Sequence, residues 1–179
     1  SGKTVTVSLS TTESEGEGLA GFIGEGSRGR REATPRLLNQ AFPKVRHLMD
    51  VVGTVTVRVP TADLLAAVKR VSLVAERNTP VRMLIEDDHI ALEAATGDQA
   101  HASEAIEAQV EVTGDEKSIS AAGFNPHYLL DALGAVDAPY AHFSFTAPGK
   151  PCLITGLATI DGDQLLDYRH VIMLMRLPN

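Results

Sequence analysis

Gly24-Glu25-Gly26-Ser27-Arg28-Gly29 spells G-x-G-x-x-G, the letters with which a strand–turn–helix unit brings its backbone against a pyrophosphate. That chemistry needs a helix whose N-terminus faces the phosphates. Arg30-Arg31-Glu32-Ala33-Thr34-Pro35 opens none, so residues 24–31 read as a Gly/Arg-rich mobile turn. Ser1-Gly2-Lys3-Thr4 carries the last letters of a phosphate-binding loop, but a strand pattern follows the lysine where a helix is required. Six histidines (His47, His89, His101, His127, His142 and His170) include no ligand-spaced pair, and Cys152 has no second thiol with which to share a metal. Asp87, Asp88, Asp161 and Asp163 sit in turn-like sequence, and Asp161-Gly162-Asp163 lacks the other oxygens of a calcium loop. No nucleophile stands beside a base that would activate it. The residues point to no enzyme, no cofactor and no metal. Two basic groups remain. Arg28, Arg30 and Arg31 read as a solvated loop. Lys69, Arg70 and Arg77 read as a solvated helix face or as a loose surface for phosphates.

Composition bounds the rest. The chain has 179 residues, 44% of them hydrophobic and only 4% aromatic, so an aliphatic core of Val, Leu, Ile, Ala and Met is expected. The single Cys152 allows no internal disulfide and favours a reducing, cytoplasmic setting. No apolar run reaches the roughly 18 residues of a membrane helix. The net charge of −7 argues against tight nucleic-acid binding, and the excess lies beyond residue 50. Residues 1–50 hold seven Lys/Arg and six Asp/Glu, against nine and seventeen in 51–179. Contact with DNA would have to be local and sequence-blind.

The elements that would carry these groups follow from periodicity. Lys3 to Ser10 alternates as a strand, Thr11 to Glu17 reads as a polar loop, and Leu19 to Ile23 as a second strand. From Gly53 a pattern repeats. Thr54 to Val59 alternates; Thr61 is placed to cap a helix over Thr61–Glu76 whose apolar face is Leu64, Leu65, Val68, Val71 and Ala75. Val81 to Ile85, Ile90 to Ala94 and Ala102 to Val112 then read as strands. The second copy runs from a strand over Ser118 to Phe124, through Asn125-Pro126, an N-cap and first-turn pair, into a helix with face Leu129, Leu130, Leu133 and Val136. Tyr140 to Phe145, Cys152 to Ala158 and Tyr168 to Leu177 close it. Residues 53–112 and 118–177 are thus two β-α-β-β-β units. The expected fold class is α+β, with the helices on one face of antiparallel sheet. The apolar tail His170 to Asn179 is unusual for a chain end, which frays unless tied into the fold; it must be buried or wall an apolar groove.

Three stretches resemble the bacterial sliding clamp, the β subunit of DNA polymerase III. They are Arg36-Leu-Leu-Asn-Gln-Ala-Phe-Pro-Lys-Val-Arg-His-Leu, then Gly123-Phe-Asn-Pro-His-Tyr-Leu-Leu-Asp-Ala-Leu, then Tyr168 to Leu177. Their order and spacing are similar to the family's, over essentially the whole chain, and the Gly/Arg-rich hairpin and Arg-Leu-Pro ending look like high-GC Gram-positive members. The resemblance implies a DNA-clamp fold, with residues 1–50 as the end of the middle domain and 51–179 as the third domain. The start at Ser1 then reads as that of a C-terminal fragment. It implies a processivity factor that encircles duplex DNA as a head-to-tail homodimer and tethers the polymerase III α subunit, the clamp loader and other partners that carry the clamp-binding motif. A clamp-like adaptor that binds peptides without encircling DNA is the alternative.

The same resemblance assigns residues. Pro43, His47, Leu48, Asn125, Tyr128, Val171, Met173, Leu174, Met175, Arg176 and Leu177 would line a groove for a short peptide with a glutamine and a Leu-Phe-like end. Adaptable methionines and a tyrosine with a polar tip suit such a surface. Lys69, Arg70 and Arg77 would face DNA; Leu73 and Val74 would meet the other subunit. His47 stands where many members carry arginine, and Leu174 replaces a frequent proline. Gly149 and Pro151 lie where small polar or β-branched residues are common. The middle-domain segment that deepens the groove is absent, so the groove is expected to be half-built.

Overall fold

A computed structural model describes the chain except residues 1–3, 11–17, 28, 39, 51, 76–78, 97–99, 114–118 and 178–179, and the side chains of 95 and 96. It falls into two compact units, Ser1–Lys44 and Val45–Asn179.

In the first unit, β1 (Val5–Ser10), β2 (Leu19–Gly26) and β3 (Gly29–Ala33) form an antiparallel sheet in that order. Residues 24–31, expected as a mobile turn, are mostly strand: Gly26 pairs with Gly29, whose φ of 92° suits only glycine. Thr11 to Glu17 lies outside the described residues. Alternation puts Val5, Val7 and Leu9 on one face with Ala20 and Phe22. Val5, Val7 and Leu9 are more than half exposed, and Ala20 alone among the described residues of this unit is buried.

The second unit opens with α1 (Arg46–Met49), which the sequence reading missed. It packs on the last strand, which is why the units part before Val45 and not at the expected 50/51. The two repeats follow. The first is β4 (Val55–Pro60), α2 (Thr61–Val71), β5 (Val81–Ile85), β6 (His89–Thr96) and β7 (Ala100–Glu107), with β8 (Gln109–Val112) beyond it. The second is β9 (Ala121–Phe124), α3 (Pro126–Ala135), β10 (Tyr140–Phe145), β11 (Cys152–Leu157) and β12 (Gln164–Ile172). Two antiparallel sheets result, β12-β11-β10-β4-β8 and β7-β6-β5-β9. Each repeat gives its three later strands to one sheet and its leading strand to the other, through Tyr140↔Pro60 and Val81↔Phe124.

Helix boundaries differ from the periodicity reading for local reasons. Thr61 caps nothing: Pro60 occupies the N-cap position, and the buried Thr61 hydroxyl has no partner. α2 stops at Val71 because the chain tightens there. Leu73, Val74 and Ala75 bond back three residues to Arg70, Val71 and Ser72. The expected strand over Ala102–Val112 breaks at Ala108, and its second part crosses to the other sheet as β8. α3 is as read, with Pro126 in its first turn and the Asn125 side chain accepting from the His127 and Tyr128 amides at 3.0 and 3.4 Å.

Leu64, Val68 and Val71 of α2 and Leu129 and Leu133 of α3 are buried with the inward residues of both sheets in one core. Its centre holds aromatic rings, contrary to the aliphatic core that composition predicted. Phe124 meets Phe143 edge-on at 6.1 Å between centroids, and Phe143 stacks on Phe145 at 6.2 Å. Ring pairs of this kind add to what burial alone supplies.

Candidate peptide-binding site and charged helix face

The site is built where the tail leaves one sheet for the other. β12 is an edge strand, paired to β11 through Cys152↔Ile172 and Leu153↔Val171. The sequence reading ran this strand to Leu177, but the ladder ends at Ile172. Past it the chain crosses to β9, where the Met175 amide donates to the Gly123 carbonyl at 2.8 Å. Ile172 is buried and Leu174 packs on the core. Met173, between them, is 62% exposed, so the crossing offers a flexible apolar side chain outward.

Phe124 of β9 leads directly to Asn125 and α3, so the bridge at Gly123 brings the tail beside the start of that helix. Tyr128, in the first turn, is 60% exposed. Asn125 spends its carbonyl oxygen on capping, which leaves its amide hydrogens as donors. Leu177, half-buried, reaches back over Gly123 and also lines a cavity of about 370 Å³ with Pro80, Arg82, Glu93 and His101. Arg176 is exposed. The structure thus gathers Asn125, Tyr128, Met173, Leu174, Met175 and Leu177 around one junction.

His47 and Leu48 approach from α1. That helix packs on β12, and the Arg169 guanidinium donates to the Asp50 carboxylate at 3.4 Å beside it. His47 is exposed and Leu48 half-buried, and Val171 on β12 is half-buried. On the same strand the Tyr168 hydroxyl meets His170 Nδ1 at 2.8 Å, and burial raises the tyrosine pKa. Pro43 belongs to the first unit and is exposed there.

The charged face of α2 is less open than its sequence implies. Lys69 and Arg70 are both exposed in the last turn. Arg70, however, forks onto Glu104 of the edge strand β7, Nε to Oε1 at 2.7 Å and the second nitrogen to Oε2 at 2.5 Å. The pairing holds the Glu104 carboxyl below the usual range and raises the guanidinium. A planar fork on a carboxylate is the geometry arginine favours. Arg77 lies outside the described residues. α3 has no basic residue in its last turn. Leu73, just past α2, is 86% exposed, and Val74 is half-exposed. Glu104 was not singled out in the sequence, where it is one glutamate in an acidic strand. Only the pairing with a helix residue 34 positions earlier distinguishes it.

Among the described residues no three His, Cys, Asp or Glu side chains gather as metal ligands. No helix among them is long and apolar enough to cross a membrane. The glycine-rich G-x-G-x-x-G stretch is a strand hairpin, with no helix after it.

The family described as DNA polymerase III beta subunit, C-terminal domain, matches residues 45–176. A beta sliding clamp from Streptomyces coelicolor is 44% identical over 99% of the chain, which covers 44% of that protein. The beta sliding clamp homolog GriR of Streptomyces muensis is 35% identical over 83% of the chain and 38% of its own length. The chain therefore spans less than half of the curated relatives it matches. The crystal structure of the Thermotoga maritima DNA polymerase III beta subunit superposes with a TM-score of 0.69 over 90% of the chain and 42% of that one, at 21% identity. At that identity the likeness shows the fold.

Proposed function

This chain belongs to the bacterial sliding clamp family, the β subunits of DNA polymerase III, and from that premise we propose that it is the C-terminal part of a processivity clamp. In this reading residues 45–179 are the third domain and residues 1–44 the end of the middle one. The protein works without catalysis, in the cytoplasm. It holds its partners by a peptide groove and, as a head-to-tail dimeric ring, holds duplex DNA. The polymerase α subunit and the clamp loader are the expected partners.

One observation carries the reading: the tail crosses onto β9 with Met173 exposed on the crossing, and β9 leads into α3, whose first turn exposes Tyr128. An exposed methionine and an exposed tyrosine are thus carried by segments that meet at β9, with the Asn125 amide as a polar donor at the start of the helix. That combination suits a peptide with an apolar end and an amide side chain. The core beneath is rigid and the methionine on top adaptable, which fits a surface that serves several sequences.

The DNA reading is supported by Lys69, whose ammonium is exposed, more than by Arg70, whose charge is shared with Glu104. Contacts of that kind go to phosphates and do not read sequence. The exposed Leu73 and the edge strand β7 are where a neighbouring subunit would add apolar surface and strand pairing.

Fluorescence polarisation of a labelled Gln-x-x-Leu-Phe peptide tests the groove. Saturable binding that weakens in both Met173→Ala and Tyr128→Ala is the expected result. Binding indifferent to both substitutions, or none to a folded sample, would overturn the assignment of this surface.

A further inference from the structure

Gly123 is the point at which the tail touches the second sheet. It lies on β9, paired with Arg82 of β5 on one side and bridged by Met175 on the other. Its φ is not in the left-handed region, so conformational freedom is not what this position takes from glycine. Space is. A β-carbon built on Gly123 would lie 2.8 Å from the Met175 carbonyl oxygen and 2.9 Å from Leu177 Cδ2. Both separations are far inside van der Waals contact. One obstacle is main chain, so relief requires the tail itself to move, by about half an ångström or more.

The neighbours on β9 make the contrast. Ala121, Ala122 and Phe124 all carry side chains, and Phe124 fills the centre of the core. At Gly123 the tail backbone itself presses against the strand. A glycine elsewhere in the same domain shows the opposite situation: a β-carbon on Gly134, in α3, would meet nothing within 4 Å.

We infer that Gly123 is a positioning residue for the peptide wall. Its missing β-carbon is the space in which the Met175 carbonyl and the Leu177 side chain lie, and it thereby fixes the course of Met173 to Leu177 over β9. The inference takes its functional meaning from the peptide groove proposed above; its geometry stands apart from that reading. The side chain that would contact peptide is Met173, and Gly123 acts on it through the tail backbone. A ligand that needs Met173 and Tyr128 at a set separation is therefore sensitive to one methyl group on a buried strand that it never touches.

The test compares Gly123→Ala with Gly134→Ala in the chain as it stands, by three measurements: peptide polarisation, amide hydrogen exchange at Met175 and urea unfolding. Gly123→Ala is expected to weaken the Gln-x-x-Leu-Phe peptide by roughly tenfold and to speed exchange of the Met175 amide, while unfolding remains cooperative. Gly134→Ala is expected to leave both peptide and exchange unchanged. Wild-type affinity together with wild-type Met175 exchange in Gly123→Ala would overturn the inference. Should the unsubstituted chain bind no peptide, the groove reading fails, and the Met175 exchange rates still decide the role of Gly123. Should Gly123→Ala not fold, exchange in the unsubstituted chain decides. A Met175 amide protected as sheet amides are supports the bridge, and one that exchanges as freely as a frayed end refutes it.

Discussion

Stability of the second unit should fall on mild acidification because of one histidine. His142 lies in the middle of β10, 3% exposed, opposite Arg58 on β4 and Thr155 on β11. Its Nδ1 is 3.4 Å from the Ser144 hydroxyl and 3.5 Å from that of Thr155. Thr155 donates its own proton to Gln164 Oε1 at 3.1 Å, so it can only accept from the ring. Burial first, and the Arg58 charge second, push the pKa of His142 down to about 4 from an ordinary 6.5. Between those values the unfolded chain holds a proton that the folded one refuses. Stability is therefore complete above about pH 7, falls as the pH drops through 6.5, and levels off only below about 4. The whole separation corresponds to about 3 kcal/mol, of which about 2 is reached by about pH 5. Urea unfolding at about pH 7.5 and about pH 5, for the wild type and His142→Gln, isolates this contribution. The other histidines and the carboxylates cancel between the two proteins. The wild type should lose about 2 kcal/mol more than the variant. Equal losses would refute the reasoning, as would a ring carbon signal of His142 that titrates near 6.5.

Three further outcomes follow from the packing. Asn125→Ala removes the cap of α3 and should cost about 1 kcal/mol in urea unfolding; it should also weaken peptide more than a loss of stability alone would. Phe143→Ala takes a ring from between Phe124 and Phe145, and should cost about 4 kcal/mol, read as a drop in the urea midpoint at unchanged slope. Cys152 is fully buried, and burial pushes its thiol pKa well above the usual range. A disulfide reagent should therefore label it only at the rate of unfolding, and rapid labelling of the native protein would contradict the burial.

Much of the architecture could be read from local pattern. Alternation in Thr54 to Val59, the Asn125-Pro126 pair and the 3.6-residue spacing of Leu129 and Leu133 each have a cause within a few residues. What the pattern hid depends on distant partners. α1 is four residues long and has no period to detect; it exists because β12 lies beneath it. The strand written through Ala108 is continuous in the sequence, but its two parts answer to different sheets. The tail shows the same thing at its own end. The apolar run continues to Leu177, whereas the ladder stops at Ile172, where the chain changes sheets. Thr61 has the right letter for a cap, yet the turn begins one residue earlier at Pro60. Among the site residues, Met173 and Tyr128 were legible through a family resemblance. Gly123 belongs to the same stretch, where nothing local distinguishes it from any other strand glycine. Its part appears only when the space beside it is measured.

The exchange of leading strands between the two repeats sets the order in which the domain can form. β4 precedes most of the domain, but its partner on one side is β10, and β9 must wait in the same way for Met175, beyond β12. Neither repeat owns a finished sheet. Pairings at such sequence separation are slow to close, because the intervening chain must be ordered before they reward it. During synthesis from the N-terminus, the first repeat therefore stays unsealed until residues 140–145 have left the ribosome, and the Gly123–Met175 bridge closes only after the segment beyond β12 has followed.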